Sequence, residues 1–221
     1  IKIAFQGERG AYSHIACEEL FKGAVITACP TFEETFKIAY ENADYKIVIP
    51  IENSLAGRVA DIHYLLPKYK LQIYAEHFQI VEHNLLVKKN ADLKDIKYVR
   101  SHAQAIDQCQ KIIQKNKFQT IISADTAGSA KELSKSKDKS IAAIASKLSA
   151  EIYDLKILMK NIEDEKHNIT RFLIMGKNVI QPENVKNKKY ITSCIFRLKS
   201  IPAALYKCLG GFATNQVNLT K

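Results

Sequence analysis

Hydrophobic residues along this chain recur in two rhythms. Short apolar runs rich in Ile, Val and Phe have the period of strands. Longer stretches with an apolar residue at every third or fourth position have the period of helices. In order, residues 2–5 predict a strand, Gln6-Gly7-Glu8-Arg9-Gly10 a turn, and Ser13 the cap of a helix to about residue 21. Residues 24–28 predict the next strand, and Thr31 with Glu34 has the spacing of a capping box opening a helix to about residue 42. Residues 45–51 are continuously apolar at their centre, the pattern of a strand covered on both faces. They run into Glu52-Asn53-Ser54-Leu55-Ala56-Gly57, and a helix is expected from about 59 to 66.

Residues 71–88 interrupt this alternation. They are long, strand-like and broken by Glu76-His77 and Glu82-His83, which suits a crossing between two lobes. The alternation then resumes, with strands at 96–100, 118–123, 140–144 and 155–159 and helices at about 101–114, from Asp125, and at 145–153. Such a pattern implies an α/β fold with parallel-rich sheets. A return crossing falls over 155–172, where His167-Asn168-Ile169-Thr170-Arg171-Phe172 begins polar and ends apolar. The expected organisation is a first lobe of residues 1–75 plus 168–178, a second lobe of 76–167, a basic linker of 179–189 and a terminal unit of 190–221. That unit predicts a strand at 190–198, a helix at 201–212 and the start of a strand at 216–219. So few elements cannot bury a core alone, so the chain is expected to continue.

Composition narrows the function classes. The chain is 47% hydrophobic and 25% charged, with a net charge of +10, the balance of a soluble globular protein. No apolar run approaches the ~18 residues that span a bilayer, and a strand at the very start leaves no room for a signal peptide, so a cytoplasmic location is expected and no membrane partner. The lysines are spread along the chain, apart from Lys186-Asn187-Lys188-Lys189, without aromatic interleaving. A nucleic-acid partner is therefore not expected, and the positive field favours a small anionic substrate. Cys17, Cys29, Cys109, Cys194 and Cys208 form no CxxC and predict free thiols, mostly buried. His77 and His83 would share one side of a continuous strand but lack a clear third ligand, so no metal is expected.

Four strand-to-helix junctions share a design: Gly7 to Ser13, Glu52 to Gly57, Ser101 to Gln104 and Asp125 to Ser129. Each offers a hydroxyl or small residue where a helix would present unpaired N–H groups and the positive end of its dipole. Each also reads simply as a helix cap. Together, facing a cleft with Thr170-Arg171, they would suit a ligand with two carboxylates. Hydrogen bonds, one guanidinium and one carboxylate, Glu52, would do the chemistry without a cofactor.

These residues resemble the prephenate dehydratase family over nearly the whole chain. The motifs follow the family's order: Gly7-Glu8-Arg9-Gly10-Ala11-Tyr12-Ser13, Ile49-Pro50-Ile51-Glu52-Asn53-Ser54-Leu55-Ala56-Gly57, Ser101-His102-Ala103-Gln104 with Gln108-Cys109, Asp125-Thr126-Ala127-Gly128-Ser129-Ala130, and Asn168-Ile169-Thr170-Arg171-Phe172. Ala103 departs from the proline of many members. The tail resembles an incomplete ACT regulatory domain, α+β in class, with Ala203-Ala204-Leu205 where many members read Gly-Ala-Leu.

The resemblance implies a two-lobe fold similar to type II periplasmic binding proteins, with the active site between the lobes. It implies decarboxylating dehydration of prephenate to phenylpyruvate in L-phenylalanine biosynthesis, feedback by phenylalanine, and a homodimer or homotetramer. It makes Thr170 the essential residue, read as a donor to the departing oxygen or a relay, with Glu52 as the acid if burial raised its pKa. Asn53, Ser54, Ser101, Gln108, Thr126, Ser129 and Asn168 are carried over as substrate-cleft positions, Arg171 as the holder of a carboxylate, and Ala203, Ala204, Leu205, Asn215 and Asn218 as effector positions. The competing class is a non-catalytic two-lobe binding protein for a small carboxylate or amino acid, since fold alone does not fix function.

Overall fold

The continuous apolar run at 45–51 becomes the centre of a sheet, and the rest of its lobe is laid around it. A computed structural model describes residues 1–179 and 191–219, and the chain divides into two units, Ile1–Pro182 and Glu183–Lys221. The first pass of the chain gives β1 (Lys2–Gln6), α1 (Tyr12–Leu20), β2 (Val25–Cys29), α2 (Phe32–Glu41), β3 (Tyr45–Asn53), β4 (Gly57–Arg58), α3 (Ala60–Tyr69) and β5 (Gln72–Ile80). The second lobe follows with β6 (Asn84–Val87), a single 3-10 turn at Leu93–Asp95, β7 (Tyr98–Ser101), α4 (Ala103–Asp107), α5 (Gln110–Asn116), β8 (Gln119–Ile122), α6 (Thr126–Lys135), β9 (Ile141–Ala145), α7 (Lys147–Ile152) and β10 (Lys156–Met159). Strand β11 (Ile169–Gly176) then returns to the first sheet.

The first sheet runs β2-β1-β3-β11-β5, with β4 paired to β3, and the second runs β10-β6-β9-β7-β8. The sheets are mixed rather than parallel-rich. β1 is parallel to β2 and β3, and β7 is parallel to β8 and β9. β11 is antiparallel to both β3 and β5, and β6 to both β9 and β10. The cause is the crossing itself: one strand leaves a lobe and another returns, so their directions oppose. β5 stays in the first sheet to Ile80, which moves the outward crossing to residues 81–83, beyond the boundary expected after 75.

Alternation along β11 packs both faces of its sheet. Phe172 and Ile174 join Ile3, Phe5, Val48, Ala16 and Cys17 on the α1 side. Leu173 and Met175 join Ala4, Ile47, Ile49, Phe36 and Ile62 on the side of α2 and α3. Phe172 is 1% exposed, a burial worth about 1.5–3 kcal/mol.

Three local expectations need correction. α1 begins at Tyr12 after Ala11, and Ser13 is buried in its first turn rather than capping it. The helix expected over 101–114 breaks into α4 and α5. At the break the Gln108 carbonyl accepts the Asp164 amide at 2.7 Å, and the Asp164 carboxylate accepts the Lys111 amide at 3.1 Å, so a distant loop caps α5. The capping box at Thr31 forms in altered fashion: its hydroxyl accepts the Glu34 amide at 3.1 Å and donates to the Glu34 carboxylate at 3.2 Å.

In the second unit the described residues form one helix, α8 (Ala204–Thr214), with Phe196 and Phe212 rings 6.2 Å apart. The strands expected at 190–198 and 216–219 do not form among the described residues. A strand pair this small has too little apolar surface to hold its backbone out of water. The α+β arrangement expected there is therefore not seen. Beyond Val179, the linker expected at 179–189 lies outside the described residues. No helix among the described residues is long and apolar enough to cross a membrane.

Candidate active site

The polar start of β11 is where the two lobes meet. In register, Thr170 lies between Asn53 on β3 and Gln79 on β5. Cross-strand partners share a face, and Asn53 Nδ2 donates to Thr170 Oγ1 at 3.0 Å. The same amide donates to Asn168 Oδ1 at 2.7 Å, while Asn53 Oδ1 accepts the backbone amides of Leu55 at 3.0 Å and Ala56 at 2.9 Å. Asn53 thus closes a turn leading into β4, and the stretch from Glu52 to Gly57 is not a helix start. Thr170 Oγ1 accepts this bond, and among the described residues none accepts a hydrogen bond from its hydroxyl.

From Asn168, 1% exposed, the polar chain continues into the second lobe. Asn168 Nδ2 donates to Gln108 Oε1 at 2.7 Å, and His83 Nε2 is 2.8 Å from the same oxygen. His83 Nδ1 is 2.9 Å from the Tyr12 hydroxyl, which also lies 2.7 Å from the Glu82 carbonyl. Burial holds the His83 imidazole below its ordinary pKa, against the opposing pull of Gln108 and Glu163. Burial also pushes the Tyr12 phenol well above its ordinary value, so it keeps its proton. Neither His83 nor Tyr12 was among the expected site residues. The signals were present, a histidine at the crossing and a tyrosine inside the first motif, but nothing in the sequence pairs them. His77, by contrast, meets Gln79 at 3.2 Å and Glu19 at 3.5 Å. The end of β5 separates the two histidines, which serve different networks.

The other expected positions divide sharply. Ser54 Oγ donates to the His167 carbonyl at 2.8 Å and accepts the Ile169 amide at 2.9 Å, stapling the end of β3 to the start of β11. Ser101 is fully buried and donates to the Ile144 carbonyl at 2.7 Å, so its hydroxyl ties β7 to β9 rather than facing a substrate. Ser129 is also fully buried and donates to the Asp125 carbonyl one turn back at 2.8 Å. Thr126, half-buried, opens α6 beside Asp125, whose carboxylate accepts the Gly128 amide at 2.6 Å.

Arg171 does not hold a carboxylate beside Thr170. Neighbouring strand residues point to opposite faces, and Arg171 Nε and Nη2 reach Glu76 Oε2 at 2.8 and 2.7 Å. Glu52 pairs in register with Arg171 and Arg58, not with Thr170, so it does not share the threonine's face. The helix N-termini are also less open than expected. Gly10 N donates to His14 Nδ1 at 3.0 Å, and the Gln104 amide donates to the His102 ring at 3.3 Å.

The lobes touch across the cleft. Ser146 and Ser149 hydroxyls donate to the Gly10 carbonyl at 2.5 and 3.0 Å, and Lys131 lies 2.8 Å from Glu8. Gly10 has φ +93°, and a Cβ there would sit 2.5 Å from Ser149 Oγ, so only glycine permits this approach. A cavity of about 430 Å³ opens on the α1 side, lined in part by Tyr12, Gln79, Glu82 and Ser146. Its wall carries Glu18, Glu19, Glu82 and Glu151 against Lys22 and Lys147, and does not include Thr170. That charge balance does not suit a dicarboxylate.

Cys17, Cys29 and Cys109 are buried and do not suit a reactive thiolate: burial pushes Cys17 up to about 12 and raises Cys109 and Cys29 as well. In the second unit, Ala203 precedes α8 at φ +61°, a left-handed conformation that favours glycine. Ala204 and Leu205 begin the helix, Asn215 ends it, and Asn218 lies beyond.

With this geometry in place, residues 3–179 match the family model described as prephenate dehydratase. A bifunctional N-acyl-homoserine lactone acylase/prephenate dehydratase from Komagataeibacter europaeus is 40% identical over 221 residues, covering 99% of this chain and 78% of that protein. Arogenate dehydratase/prephenate dehydratase 2 of Arabidopsis thaliana is 36% identical over 100% of this chain, which spans 58% of that relative's length. The crystal structure of the prephenate dehydratase from Staphylococcus aureus subsp. aureus Mu50 superimposes with a TM-score of 0.79 at 25% identity, covering 100% of this chain and 82% of that one.

Proposed function

The chain belongs to the prephenate dehydratase family, and from that premise we propose that it converts prephenate to phenylpyruvate in phenylalanine biosynthesis. The carbon–carbon bond to the ring carboxylate breaks and its electron pair enters the ring as the carbon–oxygen bond breaks. Carbon dioxide leaves, and the departing hydroxyl becomes water once it gains a proton. Aromatisation supplies the driving force, so the protein need only orient the substrate and stabilise charge on the departing oxygen.

One observation carries this reading: Asn53 Nδ2 lies 3.0 Å from Thr170 Oγ1. Because that oxygen already accepts a hydrogen bond, the threonine hydrogen points elsewhere, which suits donation to a departing oxygen. A threonine hydroxyl is a weak acid, so its contribution is a preorganised hydrogen bond rather than complete proton transfer. Thr170 is thus the catalytic donor, with Asn53, Asn168 and Gln108 arranged behind it. Regulation by phenylalanine through the second unit, around Ala203, Ala204, Leu205, Asn215 and Asn218, is a separate proposal.

The test is phenylpyruvate formation from prephenate by the purified chain, with arogenate and phenylalanine formation assayed in parallel because the Arabidopsis relative's name pairs both substrates. Product from prephenate supports the reading. Product from arogenate alone reassigns the substrate, and none from either overturns the enzyme. Added phenylalanine should lower the rate, and an unchanged rate would sink the regulatory proposal alone.

A further inference from the structure

We propose that His83 is a positioning residue for the Thr170 hydroxyl, acting through Gln108, Asn168 and Asn53. The inference rests on the dehydratase reading of that hydroxyl. Its basis is the direction of each hydrogen bond, which can be followed from one fixed end. Only an oxygen can accept the Leu55 and Ala56 amides, so Asn53 must present Oδ1 to them and Nδ2 to the other side. Nδ2 then requires acceptors, and it meets Asn168 Oδ1 and Thr170 Oγ1.

The same rule sets the next links. With Oδ1 committed to Asn53, Asn168 presents Nδ2 to Gln108, which must answer with Oε1. That oxygen is also 2.8 Å from His83 Nε2, which can bond to it only by carrying a hydrogen. His83 therefore carries a hydrogen on Nε2, and its Nδ1 lone pair faces the Tyr12 hydroxyl, where it competes for the single phenol hydrogen with the Glu82 carbonyl 2.7 Å away. The ring is 2% exposed, so water offers little alternative to this arrangement. Two backbone amides at one end and a buried ring at the other hold every intervening amide in one orientation.

The functional consequence is specific. If Gln108 lost the His83 donor, its Oε1 would keep only the Asn168 bond and its side chain could shift. Asn168 would then be less firmly held, and with it the Asn53 amide that meets Thr170. The threonine hydrogen would no longer be held towards the reacting oxygen.

Nitrogen NMR of the wild-type chain labelled at histidine tests the geometry without substrate. The His83 signal should show a protonated Nε2 and an unprotonated Nδ1; the opposite tautomer overturns the proposal. Kinetics then test the consequence. His83→Leu should lower kcat by about tenfold or more with KM within about twofold, the pattern of an interaction expressed in the transition state. His83→Gln, which keeps an N–H within reach of Gln108, should restore most of that rate. Equal kcat in His83→Leu and wild type, or no recovery in His83→Gln, overturns it. Should His83→Leu not fold, the tautomer still decides. A wild-type chain inactive on both substrates would sink the function while leaving the tautomer result intact.

Discussion

Thr170 and Arg171 are neighbours in sequence and opposites in structure. Thr170 joins a directional chain of amides that links the first sheet to the second lobe. Arg171 faces the other side, where Glu76 engages it through two nitrogens at 2.8 and 2.7 Å. The polar face leaves a hydrogen uncommitted, and the ionic face satisfies itself. An arginine beside the threonine proposed as donor is therefore not automatically a substrate ligand. In a strand, adjacency in sequence means separation across the sheet.

The largest effect expected from this contrast is on Thr170 itself. Thr170→Val keeps the branched shape and removes the donor, so kcat should fall by about 10²–10³-fold with the melting temperature nearly unchanged. Thr170→Ser should recover part of the rate. Full activity in the valine variant would remove the threonine from the chemistry and leave the two faces without the functional difference assigned to them.

Asn53→Ala comes next. It removes the bond to Thr170 and the acceptor for two turn amides, so kcat should drop about a hundredfold through misplacement of the hydroxyl. Stability should also fall by about 1–3 kcal/mol as the Leu55 and Ala56 amides lose their partner, measurable by urea unfolding. A stability loss with intact kcat would make Asn53 a turn residue only.

Arg171→Met probes the other face. Removing one member of a half-buried ion pair leaves Glu76 unmatched and should cost about 1–3 kcal/mol, with Glu76→Leu in the same chain recovering much of it. With the pair intact on its own side of the sheet, KM for prephenate should change by less than about threefold. A KM rise of about a hundredfold would restore Arg171 as a carboxylate ligand and erase the distinction between the faces.

That distinction also marks where sequence reading reached its limit. The apolar runs at 47–51 and 172–175 were legible because burial on both faces leaves no polar alternation. The family resemblance is borne out by the match over residues 3–179. The motifs named Asn53, Gln108, Asn168 and Thr170, which the fold brings into one chain of hydrogen bonds. What stayed hidden depended on partners far along the chain. The break after Gln108 needs Asp164 as its cap, and the roles of Ser101 and Ser129 depend on carbonyls that local pattern cannot locate. The faces of Glu52 and Arg171 follow from register, including a bulge beside Phe172. The mixed sheets follow from where the chain crosses, which periodicity does not encode.

The smallest effect concerns acid, and it sharpens the contrast from the Thr170 side. His14 and His83 are each 2% exposed, and burial lowers the pKa of both. Glu18, 3.4 Å from His14, pulls the other way but is half-exposed, so the burial effect prevails. An unfolded chain takes up protons at these rings near the ordinary value of about 6.5, whereas the folded chain resists. Below that pH the unfolded state binds more protons, so the contribution of both rings to stability is complete above about 6.5 and is lost as pH falls towards the lowered folded values. Melting temperature should decline from about pH 7 to pH 5. His14→Gln, which can still offer an acceptor to the Gly10 amide, should flatten part of that slope. An unchanged slope in both His14→Gln and His83→Gln would mean that neither ring enters folding neutral, and the fixed tautomer that orders the Thr170 face would lose its thermodynamic support.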